Sequence, residues 1–245
     1  MEDGYRVHDI GRLLRGNPYV GRGIIVGRSA DGGRASAAYF IMGRSANSRN
    51  RVLTLRDGAL FTEPLDPARV EDASLIIYAA MRQCGGRLIV SNGDQTDTIL
   101  AGLRAGLSMA EALKARSFEP DAPSFTPRIS AVLRFDGGDM DYELGILKSM
   151  DASGTACARY CFSYPSAPGL GHFIHTYMGD GMPLPSFQGE PERVRIPSDI
   201  DELAGELWDA LDAENRIALY ARYITLATGE TEERLINKYG AEARL

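Results

Sequence analysis

The stretch RLIVSNGDQTDTILAGL, residues 87–103, passes from a strand-like pattern into a helical one. An apolar run ends at Val90, residues 91–98 are small and polar, and apolar residues then recur at helical spacing from Ile99. A strand that ends where a helix begins presents free backbone N–H groups and the positive end of a helix dipole, which suit an anionic or polar ligand. An ordinary turn and helix cap explain the same residues, because Asp, Asn and Ser favour both positions. Taken alone, the stretch favours the cap.

Strand patterns surround this junction. The sequence predicts a short helix around residues 10–14, helices at 96–105 and 108–115, and strands at 19–28, 35–42, 51–55, 75–82, 86–90, 128–135, 141–148, 155–163 and 172–177. Asp31-Gly32 between two apolar runs indicates a hairpin, and Ser108 with Glu111 forms a capping box. Two sets of antiparallel strands, separated by a helix pair, predict two stacked sheets with helices outside them.

The C-terminal part of the sequence has a different pattern. A segment rich in Gly and Pro, residues 179–197, is predicted to be a loop, and helices are predicted at about 199–223 and 230–239. Ser198 is a candidate N-cap, and Leu203, Leu207 and Leu211 form an apolar face. We therefore expect residues 1–245 to form one domain, with an N-terminal extension at 1–16, a loop at 179–197 and C-terminal helices at 199–245.

Composition narrows the class of protein. Of 245 residues, 44% are hydrophobic and 24% charged, which is ordinary for a soluble globular protein. No apolar run is long enough to span a bilayer, and the chain opens on the polar residues MEDG, so we expect a cytoplasmic protein with no membrane partner. A P-loop is excluded, because the glycines at 27 and 32 are followed by no lysine and lead into a strand.

Three cysteines are expected to be buried, reduced thiols. The only pairs with metal-ligand spacing are Cys157 with Cys161 and His172 with His175. Both pairs lie in strand-like sequence, where the two histidines, three residues apart, face opposite sides of a sheet, so we predict no metal site.

Positive charge is concentrated at the start of the chain. Residues 1–56 contain 10 Arg against 4 Asp or Glu, whereas the net charge of the whole chain is −6. Only three lysines occur, so the cationic groups are guanidiniums, which bind phosphate or carboxylate through paired hydrogen bonds. The overall acidity argues against nucleic-acid binding. A small phosphorylated ligand suits the pattern, although solvated arginines on strand faces would also explain it.

Several short motifs occur in a characteristic order: NPYVGR (17–22), VGR (26–28), SANSRNR (45–51), SNGDQTDT (91–98) and TPRI (126–129). Together they resemble the archaeal-type inosine monophosphate (IMP) cyclohydrolases. TYMGDG (176–181) and PLPSF (183–187) resemble the bacterial branch of that family. The resemblance implies a four-layer αββα sandwich of the N-terminal-nucleophile hydrolase type, in which Tyr19 stands where that class has its nucleophile. It also implies a homo-oligomer such as a tetramer.

The reaction implied by the resemblance is the last ring closure of purine synthesis. The carboxamide nitrogen of 5-formamidoimidazole-4-carboxamide ribonucleotide attacks the formyl carbon, and water leaves to give IMP. Intramolecular addition and dehydration require no cofactor. The enzyme must hold the reactive rotamer, stabilise an oxyanion and move protons.

The resemblance also implies site residues. Arg49 is assigned to the oxyanion, Tyr78 falls near the family's active-site tyrosine, and Glu119 is the candidate proton carrier, with Asp121 as the alternative. The expected substrate-binding residues are Arg22, Arg28, Arg44 and Arg128 for the phosphate, with Asn92, Thr96 and Asp97 lining the pocket. Asp97 would repel phosphate and is therefore expected to orient an arginine or to cap the helix. Without the resemblance, Arg49 would read as a solvated loop residue and Tyr78 as a core aromatic.

Two other functions remain open at this point. A purine-nucleotide-binding protein without catalysis would bind IMP and turn nothing over. An amidohydrolase of the parent fold would need proteolysis to expose a nucleophile, which intact mass would reveal.

Overall fold

A computed structural model describes residues 5–70 and 77–239. Within them the chain forms five α-helices: α1 (Ile10–Leu14), α2 (Ala46–Arg49), α3 (Gln95–Arg104), α4 (Met109–Ala112) and α5 (Ile200–Ala210). The strands are β1 (Arg22–Arg28), β2 (Arg34–Met42), β3 (Val52–Arg56), β4 (Ala59–Glu63), β5 (Tyr78–Gln83), β6 (Arg87–Ser91), β7 (Arg128–Asp136), β8 (Asp139–Ser149), β9 (Cys157–Pro165), β10 (Leu170–His175), β11 (Glu192–Arg195), β12 (Arg216–Thr225) and β13 (Thr231–Asn237). Short 3₁₀ turns lie at Pro67–Arg69 and Leu113–Ala115.

The strands make two sheets in which every neighbouring pair is antiparallel. Sheet A has the order β11-β10-β1-β2-β12-β13, and sheet B the order β3-β4-β5-β6-β7-β8-β9. One apolar core lies between the sheets, where side chains such as Ile24, Tyr39 and Leu144 are fully buried. The prediction of two stacked antiparallel sheets is confirmed.

Helices cover the outer faces of both sheets. On sheet A, α1 and α5 pack over β1, β2 and β12. The apolar residues Ile200, Leu203, Ala204 and Leu207 recur three or four apart along α5 and so form one buried stripe. On sheet B, α3 and α4 cover a smaller core that includes Ile99 and Val132. The order of layers is therefore helix, sheet, sheet, helix.

The predicted C-terminal helices are largely wrong. After α5 the chain enters β12 and β13, so residues predicted as helical up to 223 and from 230 to 239 are strands. β12 is a central strand, buried on both faces through most of its length, and such strands lack the alternation that distinguishes strand from helix. β13 is an edge strand that carries charged residues, which read as a solvated helix.

Smaller differences have local causes. The N-cap of α5 is Asp199, whose side chain accepts from the Asp201 N–H, rather than Ser198. The 179–197 loop contains β11, and β4 was missed. β3 and β4 are joined by Asp57-Gly58, both with positive φ, a tight hairpin turn that the Asp-Gly pair favours. The first two residues of the strand predicted at 75–82 lie outside the described residues.

Candidate active site

Arg22 and Glu119 form a buried ion pair at one end of the sandwich. Nη2 of Arg22, the first residue of β1, lies 2.6 Å from Oε1 of Glu119, which precedes β7. The two residues are only 6% and 5% exposed. Burial by itself lowers the pKa of Arg22, but Glu119 and nearby tyrosine hydroxyls raise it well above the ordinary value, so the guanidinium stays charged. The pair joins sheet A to the loop that leads into sheet B.

Two tyrosines meet beside this ion pair. The hydroxyl of Tyr78, the first residue of β5, lies 2.8 Å from the hydroxyl of Tyr39 in β2. Burial raises the pKa of Tyr39 well above its usual value, and the neighbouring Tyr78 raises it further. Tyr39, Tyr78 and Glu119 all act on Arg22 electrostatically. The predicted residues Arg22, Tyr78 and Glu119 are therefore brought together, with a neutral tyrosine as a fourth member.

Arg51 lies close to this group and was not predicted from the sequence to be a site residue. It is 7% exposed and acts electrostatically on Tyr39 and Tyr19. Among the described residues, the Nε atoms of Arg22 and Arg51 have no hydrogen-bond partner. Buried donors are nearly always paired, so these two N–H groups are available to an acceptor.

The side chain of Arg49 points away from the Arg22–Glu119 pair. Its Nε donates to the Gly43 carbonyl, and its Nη2 contacts Glu214 and Asn215 at 3.0 and 3.1 Å. The side chain is 32% exposed. The SANSRNR motif thus contains two arginines two positions apart, and the structure places the second, Arg51, rather than Arg49 beside the buried tyrosines. In the sequence, the motif indicated that an arginine of this segment belongs to the site, but it did not show which of the two arginines does.

The Glu119 loop (residues 119–127) is held by hydrogen bonds within and around it. Asn92 is fully buried; its Nδ2 donates to the Pro127 carbonyl at 2.9 Å and its Oδ1 accepts from the Ile129 N–H at 2.8 Å. Asp121 accepts from the Thr126 N–H at 2.6 Å and from the Thr126 hydroxyl. Asp121 therefore closes the loop on itself, whereas Glu119 reaches Arg22.

The junction at residues 91–98 is largely internal scaffold. The Thr96 and Ser91 hydroxyls contact each other, and both residues are fully buried. Asp97 forms an ion pair with Arg82 at 2.8 Å. The N-cap residue Asp94 makes no capping bond and instead pairs with Arg116 and Arg128. These contacts of Thr96 and Asp97 do not reach the Arg22–Glu119 pair, whereas Asn92 supports the loop that carries Glu119.

The other predicted arginines lie in three different places. Arg44 forms an ion pair with Asp180 and lies over the Tyr19 ring at 5.4 Å, on the rim of the site. Arg128 contacts Asp94 and Gln95 at the start of α3. Arg28 is at the far end of β1, about 20 Å from Arg22 at the usual rise per residue, where it pairs with Asp139.

No group of three or more His, Cys, Asp or Glu side chains in the described part of the chain is arranged to hold a metal ion. The three cysteines are free, but the expectation of buried thiols is wrong, because Cys161 is exposed and the other two are half-buried. No helix among residues 5–70 and 77–239 is long and apolar enough to cross a membrane.

The fold and site define a two-sheet sandwich with a buried polar cluster at one end. Residues 19–230 match the model of a family described as IMP cyclohydrolase-like protein. The match covers most of the sequence, and the chain belongs to this family.

Relatives named IMP cyclohydrolase are similar over part of the chain. The protein from Methanopyrus kandleri is 34% identical over 117 residues, which is 46% of this chain and 58% of that protein. The protein from Halobacterium salinarum is 34% identical over 123 residues, 49% of this chain and 59% of its own length. That from Haloquadratum walsbyi is 32% identical over 119 residues, 47% of this chain and 56% of its own length. The chain thus spans less than three fifths of these curated relatives.

Proposed function

We propose that this protein is an IMP cyclohydrolase, which closes 5-formamidoimidazole-4-carboxamide ribonucleotide to IMP and water. Membership of the family supports the proposal, as do the names of the relatives. The observation that carries it is the buried Arg22–Glu119 pair beside the Tyr39–Tyr78 hydroxyl pair. A carboxylate, two hydroxyls and two guanidinium N–H groups without a partner among the described residues can carry protons and stabilise an oxyanion, as ring closure requires.

The chemistry has two steps. The carboxamide nitrogen forms a bond to the formyl carbon and loses one proton, and the formyl oxygen takes up one proton to become a hydroxyl. The hydroxyl then leaves as water with the proton of the former formamide N–H, and a C=N double bond forms. Both steps move protons between groups within one small molecule, so a proton carrier and an oxyanion donor supply most of the catalysis.

We assign the oxyanion to Arg51 rather than to Arg49. The Nε and Nη2 of Arg49 donate to Gly43, Glu214 and Asn215, whereas the Nε of Arg51 is buried and has no partner in the described residues. A water-poor setting strengthens a fixed donor of this kind.

Glu119 is assigned as the proton carrier, and Tyr78 as the hydroxyl that orients the reacting amide. Arg22 holds the Glu119 carboxylate in place at 2.6 Å, and from this position the carboxylate accepts a proton from the attacking nitrogen and returns one to the departing hydroxyl. Tyr39 holds the Tyr78 hydroxyl at 2.8 Å and so limits the directions in which it donates.

The test is a ring-closure assay with purified protein, followed by ultraviolet absorbance. Turnover well above the rate in buffer, unaffected by a chelator, supports the proposal, and a rate equal to that in buffer refutes it. Glu119→Gln should lower kcat by about 10²-fold or more, as for loss of a general acid–base group. Arg28→Gln, which changes an arginine at the opposite end of β1, should leave kcat within about twofold. Tight IMP binding without turnover would identify a non-catalytic nucleotide-binding protein instead.

The partners and setting are part of the proposal. We propose that a free purine ribonucleotide, and no nucleic acid or membrane, is the ligand, and that residues 1–245 act as one domain in a cytoplasmic homo-oligomer. The net charge of −6 supports the exclusion of nucleic acid. Light scattering on the purified protein tests the assembly, and a monomer at micromolar concentration would contradict it.

A further inference from the structure

A series of hydrogen bonds through Asp121, Thr126 and Tyr177, here called the tie, connects the Glu119 loop to the residues that follow β10. The centre of the tie is Thr126, which is 2% exposed. Its N–H donates to Asp121 at 2.6 Å, its carbonyl accepts from the Glu119 N–H at 2.9 Å, and its hydroxyl contacts both Asp121 and the Tyr177 hydroxyl. A carboxylate only accepts, so the Thr126 hydroxyl donates to Asp121, and the Tyr177 hydroxyl donates to Thr126.

The other end of the tie is fixed to sheet A next to Arg22. The Tyr177 N–H donates to the Val20 carbonyl at 3.2 Å, and the Tyr177 ring stacks on Tyr19 with centroids 5.9 Å apart. The hydroxyl of the preceding residue, Thr176, accepts from the Arg22 N–H at 3.1 Å. The tie therefore connects the backbone of Glu119 to the backbone of Arg22 by a second route, parallel to their ion pair.

The tie supports the ion pair because Arg22 and Glu119 belong to different layers of the sandwich. Arg22 is in β1 of sheet A, and Glu119 is in a loop that enters sheet B. The ion pair itself is a contact between two long side chains, and a shift of about 1 Å in such a group is enough to reduce turnover about 10²-fold. A buried tie between the two backbones limits that shift.

We propose that Asp121, Thr126 and Tyr177 are positioning residues that hold the Glu119 carboxylate against Arg22 and beside Tyr78. This inference rests on the proposed function for its kinetic consequences. It also gives Asp121 a role other than proton carrier, because both of its carboxylate oxygens are used by Thr126.

Three substitutions isolate the tie. Thr126→Val removes the hydroxyl and keeps the N–H and carbonyl that bond Asp121 and Glu119. Thr126→Ser keeps the hydroxyl and is the rescue variant. Tyr177→Phe removes only the hydroxyl and keeps the ring that stacks on Tyr19.

The chain offers a matched control for Thr126→Val and another for Tyr177→Phe. In the exposed turn after β8, the Thr155 hydroxyl and N–H contact Asp151 as those of Thr126 contact Asp121, but within residues 5–70 and 77–239 no hydrogen bond links Thr155 to sheet A. Thr155→Val therefore removes the same kind of local contact. Tyr223→Phe removes a buried hydroxyl that donates to the Pro197 carbonyl at 2.7 Å, in the outer core of sheet A.

We expect Thr126→Val and Tyr177→Phe each to lower kcat by about tenfold or more with KM changed less than about threefold, as when a contact acts mainly in the transition state. The double variant should fall no further than the single ones, because both remove one tie. Thr126→Ser and both controls should stay within about threefold of the wild type. Multiplying losses in the double variant, or a Thr126→Ser variant as impaired as Thr126→Val, would overturn the proposal.

Crystal structures separate this inference from the proposed function. If the wild type has no ring-closing activity, the proposed function fails, and the position of Glu119 then decides the inference by itself. The Arg22–Glu119 contact should be kept in Thr126→Ser and broken or displaced in Thr126→Val. An unchanged contact in Thr126→Val would refute the positioning role.

Discussion

Removal of the Glu119 charge should destabilise the protein as well as inactivate it. In Glu119→Gln the amide oxygen still accepts a hydrogen bond, but Arg22 is left as a buried cation without a counter-charge. The two side chains are 8% and 6% exposed, and their atoms are 2.6 Å apart. Breaking a buried ion pair from one side costs about 3–5 kcal/mol, and we expect a value near 3 because the hydrogen bond survives in part.

The measurement is the free energy of unfolding from urea denaturation, with kcat measured on the same preparations. Glu202→Gln is the control: it removes a partner of Arg195 at a similar distance, 2.8 Å, but both side chains are about half exposed, and Arg195 keeps Glu206 at 3.7 Å. An exposed pair contributes at most about 1 kcal/mol, so the control should lose no more than that.

The double variant Arg22→Met with Glu119→Leu separates stability from catalysis. Replacement of a buried ion pair by apolar residues of similar size is often neutral or stabilising, so the free energy of unfolding should recover most of the loss. Activity should not recover, because the proton carrier is gone. A loss below about 1 kcal/mol in Glu119→Gln, equal to that of the exposed control, would refute the reasoning.

Three further predictions concern residues around the site. Arg51→Gln should lower kcat by about 10²-fold, as for loss of an oxyanion donor, while Arg49→Gln stays within about threefold; steady-state kinetics showing the reverse order would return the role to Arg49. Burial lowers the pKa of His175 to about 4 from 6.5. Between these pH values the unfolded chain binds a proton at His175 that the folded chain does not. The free energy of unfolding should therefore fall by up to about 3 kcal/mol as the pH drops from 6.5 to about 4. In urea denaturation at a series of pH values, His175→Gln should lack this part of the pH dependence. Asn92→Ala should lower the free energy of unfolding by about 2–3 kcal/mol, because it leaves the Pro127 carbonyl and the Ile129 N–H without their side-chain partner; a loss under about 0.5 kcal/mol in urea denaturation would contradict the scaffold role.

Much of the fold could be predicted from the sequence where local patterns are strong. The Asp31-Gly32 turn, the Ser108 capping box and the strands of residues 19–56 were predicted within a few residues of their positions. The region after α5 could not be predicted from periodicity, because β12 is buried on both faces and β13 is a charged edge strand. Their assignment depends on neighbours that are distant in sequence.

Part of the candidate site could also be predicted from the sequence. Motif order identified Arg22, Tyr78 and Glu119, whose side chains the structure brings together. It did not separate Arg49 from Arg51, because Arg49 ends the short helix α2, whereas Arg51 lies two residues beyond it, where the side chain is buried. Nor did it reveal Tyr39 or Tyr177, which reach the site only through the pairing of β2 and β10 with β1.

The most direct test of the account is a crystal structure of the protein with IMP, the product of the proposed reaction. The account predicts that the purine ring lies between the sheets, in contact with Tyr78 and the Glu119 carboxylate, with an oxygen of the ligand accepting from Arg51. A purine ring bound at the Arg28 end of the sandwich, or outside the two sheets beside Arg128, would contradict it.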